Sequence, residues 1–292
     1  MGAAFTVRKV VALLMLSFVA ATTVEAQEIN VTLLGTGSPS PSMERFGPGT
    51  LVQAGGQTLI FDAGRGSLQR LSHLGVTFGQ VQALFLTHLH SDHIVGIPDL
   101  WLTGWMLSKR NAPLRVFGPA GTSDMMAHLK QAFQFDIRIR VEDQKLSPAG
   151  AEIEATDIKQ GVIYEVQGVR VTAFEVDHGL VSPAFGYRVD YAGRAVVLSG
   201  DTRFSTNLVK FAEHADLVVH EVADGAERHT TPQEAGEVFQ RVRPKLAVYS
   251  HILVRNLEDL VTRTRTTYSG PLVIGEDLMR FVVGESVAIY QR

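Results

Sequence analysis

The stretch Thr87-His88-Leu89-His90-Ser91-Asp92-His93 puts three imidazoles and one carboxylate into seven residues, directly behind the apolar run Ala83–Leu86. Ionisable groups massed where a buried strand ends are costly unless something pairs them. A cation resolves the conflict: each neutral imidazole donates a lone pair, and Asp92 stays ionised beside positive charge. His88 and His90 point the same way if the local chain is extended. Asp92 and His93 then enter the next helix and face a neighbouring point, so one segment can offer ligands to two metals. A solvated loop would account for scattered histidines, but not for H-x-H-x-D-H at a buried strand's end. The chain has no cysteine. Any metal is therefore held by imidazole and carboxylate, a donor set for zinc, manganese or iron rather than for thiolate-selected sites.

Several strands must converge to complete such a site. Apolar segments repeatedly end in a polar residue: ALFLTH, TAFEVDH, VVLSGD, LVVHE and LAVYSH. Five strands delivering His, Asp or Glu at one end describe a single rim. Alternation and glycine turns predict further strands at EINVTLLGTG, LVQA, TLIFDAG, LRVFG, AEIEAT, GVIYEV and AFGYRVD, the middle ones as a run of hairpins. Helices are expected at PDLWLTGWMLSKR, SDMMAHLKQAF, near 206–214, at HTTPQEAGEVFQRV and near 257–265. In the fourth of these, Thr231, Pro232 and Glu234 stand at N-cap, N1 and N3 as a capping box. The β-rich halves, each followed by helices, predict two packed sheets with helices outside.

Composition narrows the rest. At 292 residues, 45% hydrophobic and 20% charged, without repeats or a long linker, the chain reads as one globular domain. Its first 26 residues differ. Arg8 and Lys9 precede the apolar run Val10–Ala21, and Val24-Glu25-Ala26 is a small-x-small cleavage site. The run is short of the ~20 apolar residues that span a membrane. The expectation is a signal peptide over 1–26, a mature domain over 27–292, periplasmic or secreted, with no membrane anchor after cleavage. Losing residues 1–26 removes Arg8, Lys9 and Glu25 and takes the formal charge from −3 to −4. An acidic mature chain argues against strong non-specific nucleic-acid binding.

HLHSDH, together with LGTGSPSPSMERFGPGT, IFDAGRG, DHG…FGYR, LSGDTR, VVHE, HTT and YSH in this order, resembles the metallo-β-lactamase superfamily, in the branch of ribonuclease Z and its phosphodiesterase relatives. The resemblance runs from about Val31 to His251. It implies an α/β fold, a four-layer αβ/βα sandwich with the metal site at the edge of the two sheets, two Zn2+ ions (Mn2+ or Fe2+ as substitutes), and a homodimer. It also implies that His88, His90 and His178 bind one metal, that Asp92, His93 and His251 bind the other, and that Asp201 bridges them. Asp92, His229 and Glu221 become the catalytic residues, with His229 protonating the leaving oxygen and Glu221 keeping that imidazole charged. Asp62 is expected to brace the metal site. Gly35, Gly37 and Gly64 permit tight turns, and Arg203 either approaches substrate or forms a surface ion pair. His220 is assigned no role, and His73, His128 and His214 fall in ordinary helical or loop contexts.

Two cations roughly 3.5–4 Å apart can lower the pKa of a shared water and clamp both oxygens of an in-line displacement. Members of this branch that process transfer RNA carry a long arm between the GYR and GDT segments. Here only VDYAGRAVVLS joins them. The expected function is therefore an exported dinuclear hydrolase of small phosphodiesters, of cyclic-nucleotide or aryl type, with a small anionic ester as partner. Arylsulfatase activity, transfer-RNA 3′ processing and non-catalytic zinc binding are the alternatives.

Overall fold

The computed structural model describes residues 1–2, 27–225 and 227–291. The expected signal peptide lies outside the described residues apart from its first two. Among the described residues, no helix is long and apolar enough to cross a membrane.

The chain opens with β1 (Ile29–Gly35), β2 (Gly49–Ala54), β3 (Gln57–Phe61), α1 (Ser67–His73) and β4 (Ala83–Phe85). After the histidine-rich segment come α2 (Ser91–Ile94), α3 (Ile97–Ser108), β5 (Leu114–Gly118), α4 (Thr122–Ala132), α5 (Gln134–Glu142) and β6 (Ile153–Asp157). The second half holds β7 (Gly161–Val166), β8 (Val169–His178), β9 (Val181–Tyr191), β10 (Arg194–Leu198), α6 (Thr206–Phe211), β11 (Leu217–Ala223) and α7 (Pro232–Val242). It closes with β12 (Leu246–Leu253), α8 (Leu257–Arg265), β13 (Leu272–Ile274), β14 (Arg280–Val283) and β15 (Val287–Tyr290).

One sheet runs β15-β14-β1-β2-β3-β4-β5-β6 and the other β13-β12-β11-β10-β9-β8-β7. Their facing sides bury Val31, Leu33, Phe61, Phe85, Tyr187, Val196 and Val248. Trp101, Trp105, Leu71 and Ile60 fill the layer between the first sheet and α1, α3 and α4. Leu208, Phe239, Leu260 and Tyr249 do the same between the second sheet and α6, α7 and α8. Period-2 alternation is visible within single strands: Val196 and Leu198 of β10 face the sheet–sheet core, and Val197 faces the helices. The result is the four-layer αβ/βα sandwich.

Strand direction explains the rim. β8 and β10 are both antiparallel to β9, and β10, β11 and β12 are mutually parallel, so four strands of this sheet end on one side. In the other sheet β3, β4, β5 and β6 are parallel.

One expectation changes, and two helices appear that were not expected. α1 and α5 carry no recognised start signal: a glycine and a phenylalanine stand at their N-caps, and neither has a side-chain cap. AEIEAT does not join the central hairpins. It forms β6, parallel to β5 in the first sheet, and only the following segment crosses to β7 in the second. Period-2 patterning shows that a strand has two faces but not which sheet receives it.

Candidate metal centre

β4 stops at Phe85, and the chain then passes Thr87 and His88 before α2 begins with His90 as its extended N-cap (φ −64°, ψ 145°). What holds this turn is Asp62, one residue past β3 and itself left-handed at φ 58°. Its Oδ1 accepts from the Thr87 amide at 2.8 Å, and its Oδ2 accepts from the Thr87 hydroxyl at 2.8 Å. The same Oδ2 lies 2.8 Å from Nδ1 of His93. Thr87 Oγ1 is in turn 3.0 Å from Nδ1 of His88. On the far sheet, Nδ1 of His178 donates to the carbonyl of Arg228 at 2.7 Å.

These bonds have one consequence in common. A hydroxyl that donates to Asp62 accepts from His88, a carboxylate accepts from His93, and a carbonyl accepts from His178. All three rings therefore carry the proton on Nδ1 and turn the Nε2 lone pair inward. Nε2 of His88 and of His93 is buried and has no hydrogen-bond partner. Nε2 of His178 stands 3.4 Å from Nδ1 of His90, a close approach of two nitrogens that repel unless a proton or a cation lies between them. The donor set thus fits metal ions on the structure's own terms.

Two groups of donor atoms converge, each with its atoms within 4.8 Å of one another: His88, His90, His178 and Asp201, and then Asp92, His93 and His251. Asp201 lies between them. Its Oδ2 is 3.5 Å from Nε2 of His93, 3.5 Å from Nε2 of His251, and 3.9 Å from Nε2 of His88 and of His178. Its Oδ1 is buried without a partner. Gly200, at φ 60°, makes the turn that delivers Asp201, and a Cβ there would strike the carbonyl of Phe185. The clusters fit a dinuclear metal site.

His251 arrives by a device that spacing does not reveal. The β11–β12 register passes from His220↔Tyr249 to Val222↔Ile252, so Ser250 and His251 both oppose Glu221. This is a β-bulge, with His251 left-handed at φ 44°. The bulge brings Nε2 of His251 to 3.3 Å from Asp92 Oδ2.

Burial favours neutral rings. It drives the pKa of His88 well below 6.5, helped by repulsion from His93, and lowers those of His90 and His178. His93 is the exception: burial opposes its charge, but attraction to Asp201 and Asp62 outweighs it and raises the pKa. Burial alone would raise Asp201. The neighbouring His251 and His93 instead hold it well below the usual carboxylate range.

Glu221, on β11, accepts through Oε1 from the amides of Thr202 (3.1 Å) and Thr230 (3.0 Å). Its Oε2 lies 3.3 Å from Nδ1 of His229, without hydrogen-bond alignment. Burial, reinforced by the charge of Asp201, raises Glu221 well above the ordinary glutamate value, and burial lowers His229. His229 Nδ1 also lies 3.9 Å from Asp201 Oδ2 and groups with Asp201 and His251 as a third donor set.

Arg203 takes the ion-pair role, 3.3 Å from Asp177 and donating to the Glu227 carbonyl at 2.7 Å. His128 is exposed and bonds within its own helix. Thr87, Thr202 and Thr230 stand inside the quoted motifs without an assigned role, and the Arg228 carbonyl lies outside them. Each works through an ordinary group that no residue type marks.

The family model described as Anti-Pycsar protein Apyc1 matches residues 29–253. A protein named Ribonuclease Z from Mycolicibacterium gilvum (strain PYR-GCK) is 36% identical over 281 residues, covering 89% of this chain and 98% of the relative. Among solved structures, the metallo-beta-lactamase fold protein YhfI from Bacillus subtilis superposes with a TM-score of 0.72 at 20% identity, covering 88% of this chain and 100% of that one. The short form of human tRNase Z superposes at 0.66 with 24% identity, covering 86% and 98%. At these identities the two structures speak to the fold alone.

Proposed function

The chain belongs to the metallo-β-lactamase superfamily, in its ribonuclease Z-like branch, and on that footing we propose that it is a dinuclear phosphodiesterase that cleaves RNA. The observation that carries the chemistry is the single oxygen of Asp201 shared by two converging donor sets. Two divalent cations, which we take to be zinc, would supply there a water nucleophile near neutral pH and neutralise charge on the phosphoryl oxygens.

The chain's own residues do the rest. Asp62 and Thr87 fix the His88 and His93 rings, so the centre keeps its shape through a turnover. Hydrolysis breaks one P–O bond, and the departing oxygen needs a proton. We assign its delivery to His229, whose ring is partly exposed on the mouth side and backed by Glu221. Thr230, bonded to Glu221 and to the Thr202 carbonyl, and the Thr231–Glu234 capping box keep His229 in register with the start of α7.

RNA is the favoured substrate because the relative of matching length is named a ribonuclease, and this displaces the small-ester expectation as first choice. One observation sustains small phosphodiesters as a second reading: β9 and β10 join through Ala192-Gly193 alone, which leaves no arm for a large RNA. Export of the mature chain stays a separate proposal, tested by N-terminal sequencing of protein from the medium and periplasm. The function is tested with zinc-loaded protein, RNA bearing a 3′ extension, bis(p-nitrophenyl) phosphate and an aryl sulfate. RNA cleaved at one position supports the first reading, and turnover of the diester alone supports the second. Turnover of the sulfate alone overturns both.

A further inference from the structure

We propose that Arg228 is a specificity-determining residue that binds a second phosphate of the substrate, next to the one being cleaved. The inference rests on the phosphodiesterase reading above and deepens it. A substrate with only one phosphate leaves this arginine idle, whereas a nucleotide chain engages it.

Arg228 is tied to the centre by its backbone and, among the described residues, unpaired at its tip. Its carbonyl accepts from Nδ1 of His178, and the next residue is His229. Its stem lies over the β8–β9 turn that follows His178: Cγ is 3.6 Å from where a Cβ on Gly179 would stand. Arg203 reaches the same glycine, its Nη2 3.1 Å from that point.

The two arginines are differently employed. Arg203 spends its guanidinium on Asp177 and the Glu227 carbonyl. Arg228 is exposed, and among the described residues its side chain makes no ion pair or hydrogen bond. Of the nearby acids, Asp177 pairs with Arg203 and Asp224 with Arg263, while the exposed carboxylate of the adjacent Glu227 makes no ion pair among the described residues. A free planar guanidinium, anchored at its root one residue from His229, suits bidentate binding of a phosphate adjoining the scissile bond. His229, assigned to the leaving oxygen, puts that phosphate on the leaving-group side.

The test uses three dinucleotides and the zinc-loaded protein: UpU, pUpU and UpUp, of which the last two carry an additional terminal phosphate on one side or the other. The wild type should favour one of them over UpU by about tenfold in kcat/KM, chiefly through KM, and lose the preference at high salt. Arg228→Gln should bring that ratio close to one, and Arg228→Lys should retain part of it. A ratio equally large in Arg228→Gln overturns the proposal, as does a wild type indifferent to the terminal phosphate. If no dinucleotide is turned over, the phosphodiesterase reading fails. Calorimetric affinities for the same three ligands then decide Arg228 separately, and an affinity ratio that Arg228→Gln leaves intact rejects it.

Discussion

Two buried aspartates, Asp201 and Asp277, stand at opposite extremes of how a protein treats a carboxylate. Asp277 is fully employed. Its Oδ1 accepts from the amide and hydroxyl of Thr36 at 2.9 and 2.8 Å, and its Oδ2 accepts from the Phe46 amide at 2.8 Å and Arg70 at 2.9 Å. It fastens the loop after β1 and the helix α1 to the C-terminal strands, and Arg45 Nη1 adds to this by donating to both the Thr36 hydroxyl and the Gly275 carbonyl. Asp201 is just as deeply buried, but one oxygen has no partner and the other looks at imidazole nitrogens no nearer than 3.5 Å. A carboxylate with ideal geometry contributes to the fold. One held slightly too far from everything is arranged for something else to sit between.

That contrast has consequences that can break it. The largest effect should come from Asp201→Asn, which removes the charge shared by both donor sets. Steady-state assays should show at least a ~1000-fold loss of activity, about 4 kcal/mol of barrier, and elemental analysis should find fewer than two metals. Wild-type metal content and rate in this variant would end the comparison.

Asp277→Ala should do the reverse. It strands Arg70 in the interior, so urea unfolding should show a loss of roughly 3–5 kcal/mol with or without metal. A loss seen only in the metal-loaded protein would show that Asp277 serves the centre rather than the fold.

His229→Ala sharpens the active side. Turnover of a dinucleotide should fall roughly 100-fold, and that of bis(p-nitrophenyl) phosphate much less, because p-nitrophenolate leaves without a proton. Equal losses on both substrates would remove the proton-donor assignment.

Asp62→Asn keeps the shape of the brace and weakens its hold on His93. Metal affinity, measured by competition with a chromophoric chelator, should drop about 10–100-fold. An unchanged affinity would show that the Thr87 bonds alone keep the turn in place.

The smallest effect concerns His220, a buried ring beside Glu221 that donates only to a carbonyl. Burial lowers its pKa to about 4. The unfolded chain therefore binds the extra proton first as pH falls below about 6.5. The stability due to the neutral ring is complete above that value and declines toward pH 4. By pH 5.5 the loss should reach roughly 1 kcal/mol. His220→Asn should flatten this part of the stability–pH curve, and an identical slope in the two proteins would refute the assignment.

How much of this was legible in letters depends on what carried the signal. The THLHSDH cluster was legible because only a cation makes that residue mixture reasonable behind a buried strand. The rim was legible because five apolar runs each ended in a polar side chain. The capping box of α7 was legible because its chemistry is local, and Thr231 and Glu234 make the expected bonds. α5 was not, since none of its residues is buried and no periodic face marks it. β6 could be recognised as a strand but not assigned to a sheet. Glu221 and His229 are marked by motif, but the depth of their burial is not, because burial is a property of the folded surroundings and not of the pair.

The sequence by itself determined which groups could bind metal and that the strands bearing them would end together, because residue chemistry and period-2 patterning act over a few neighbours. Tertiary structure alone decided the rest: the β-bulge that turns His251 inward, the bonds that select one tautomer for three rings, and the burial that moves Glu221 and His229. Each of those arises from atoms brought together across the two sheets, and no local pattern records such a meeting.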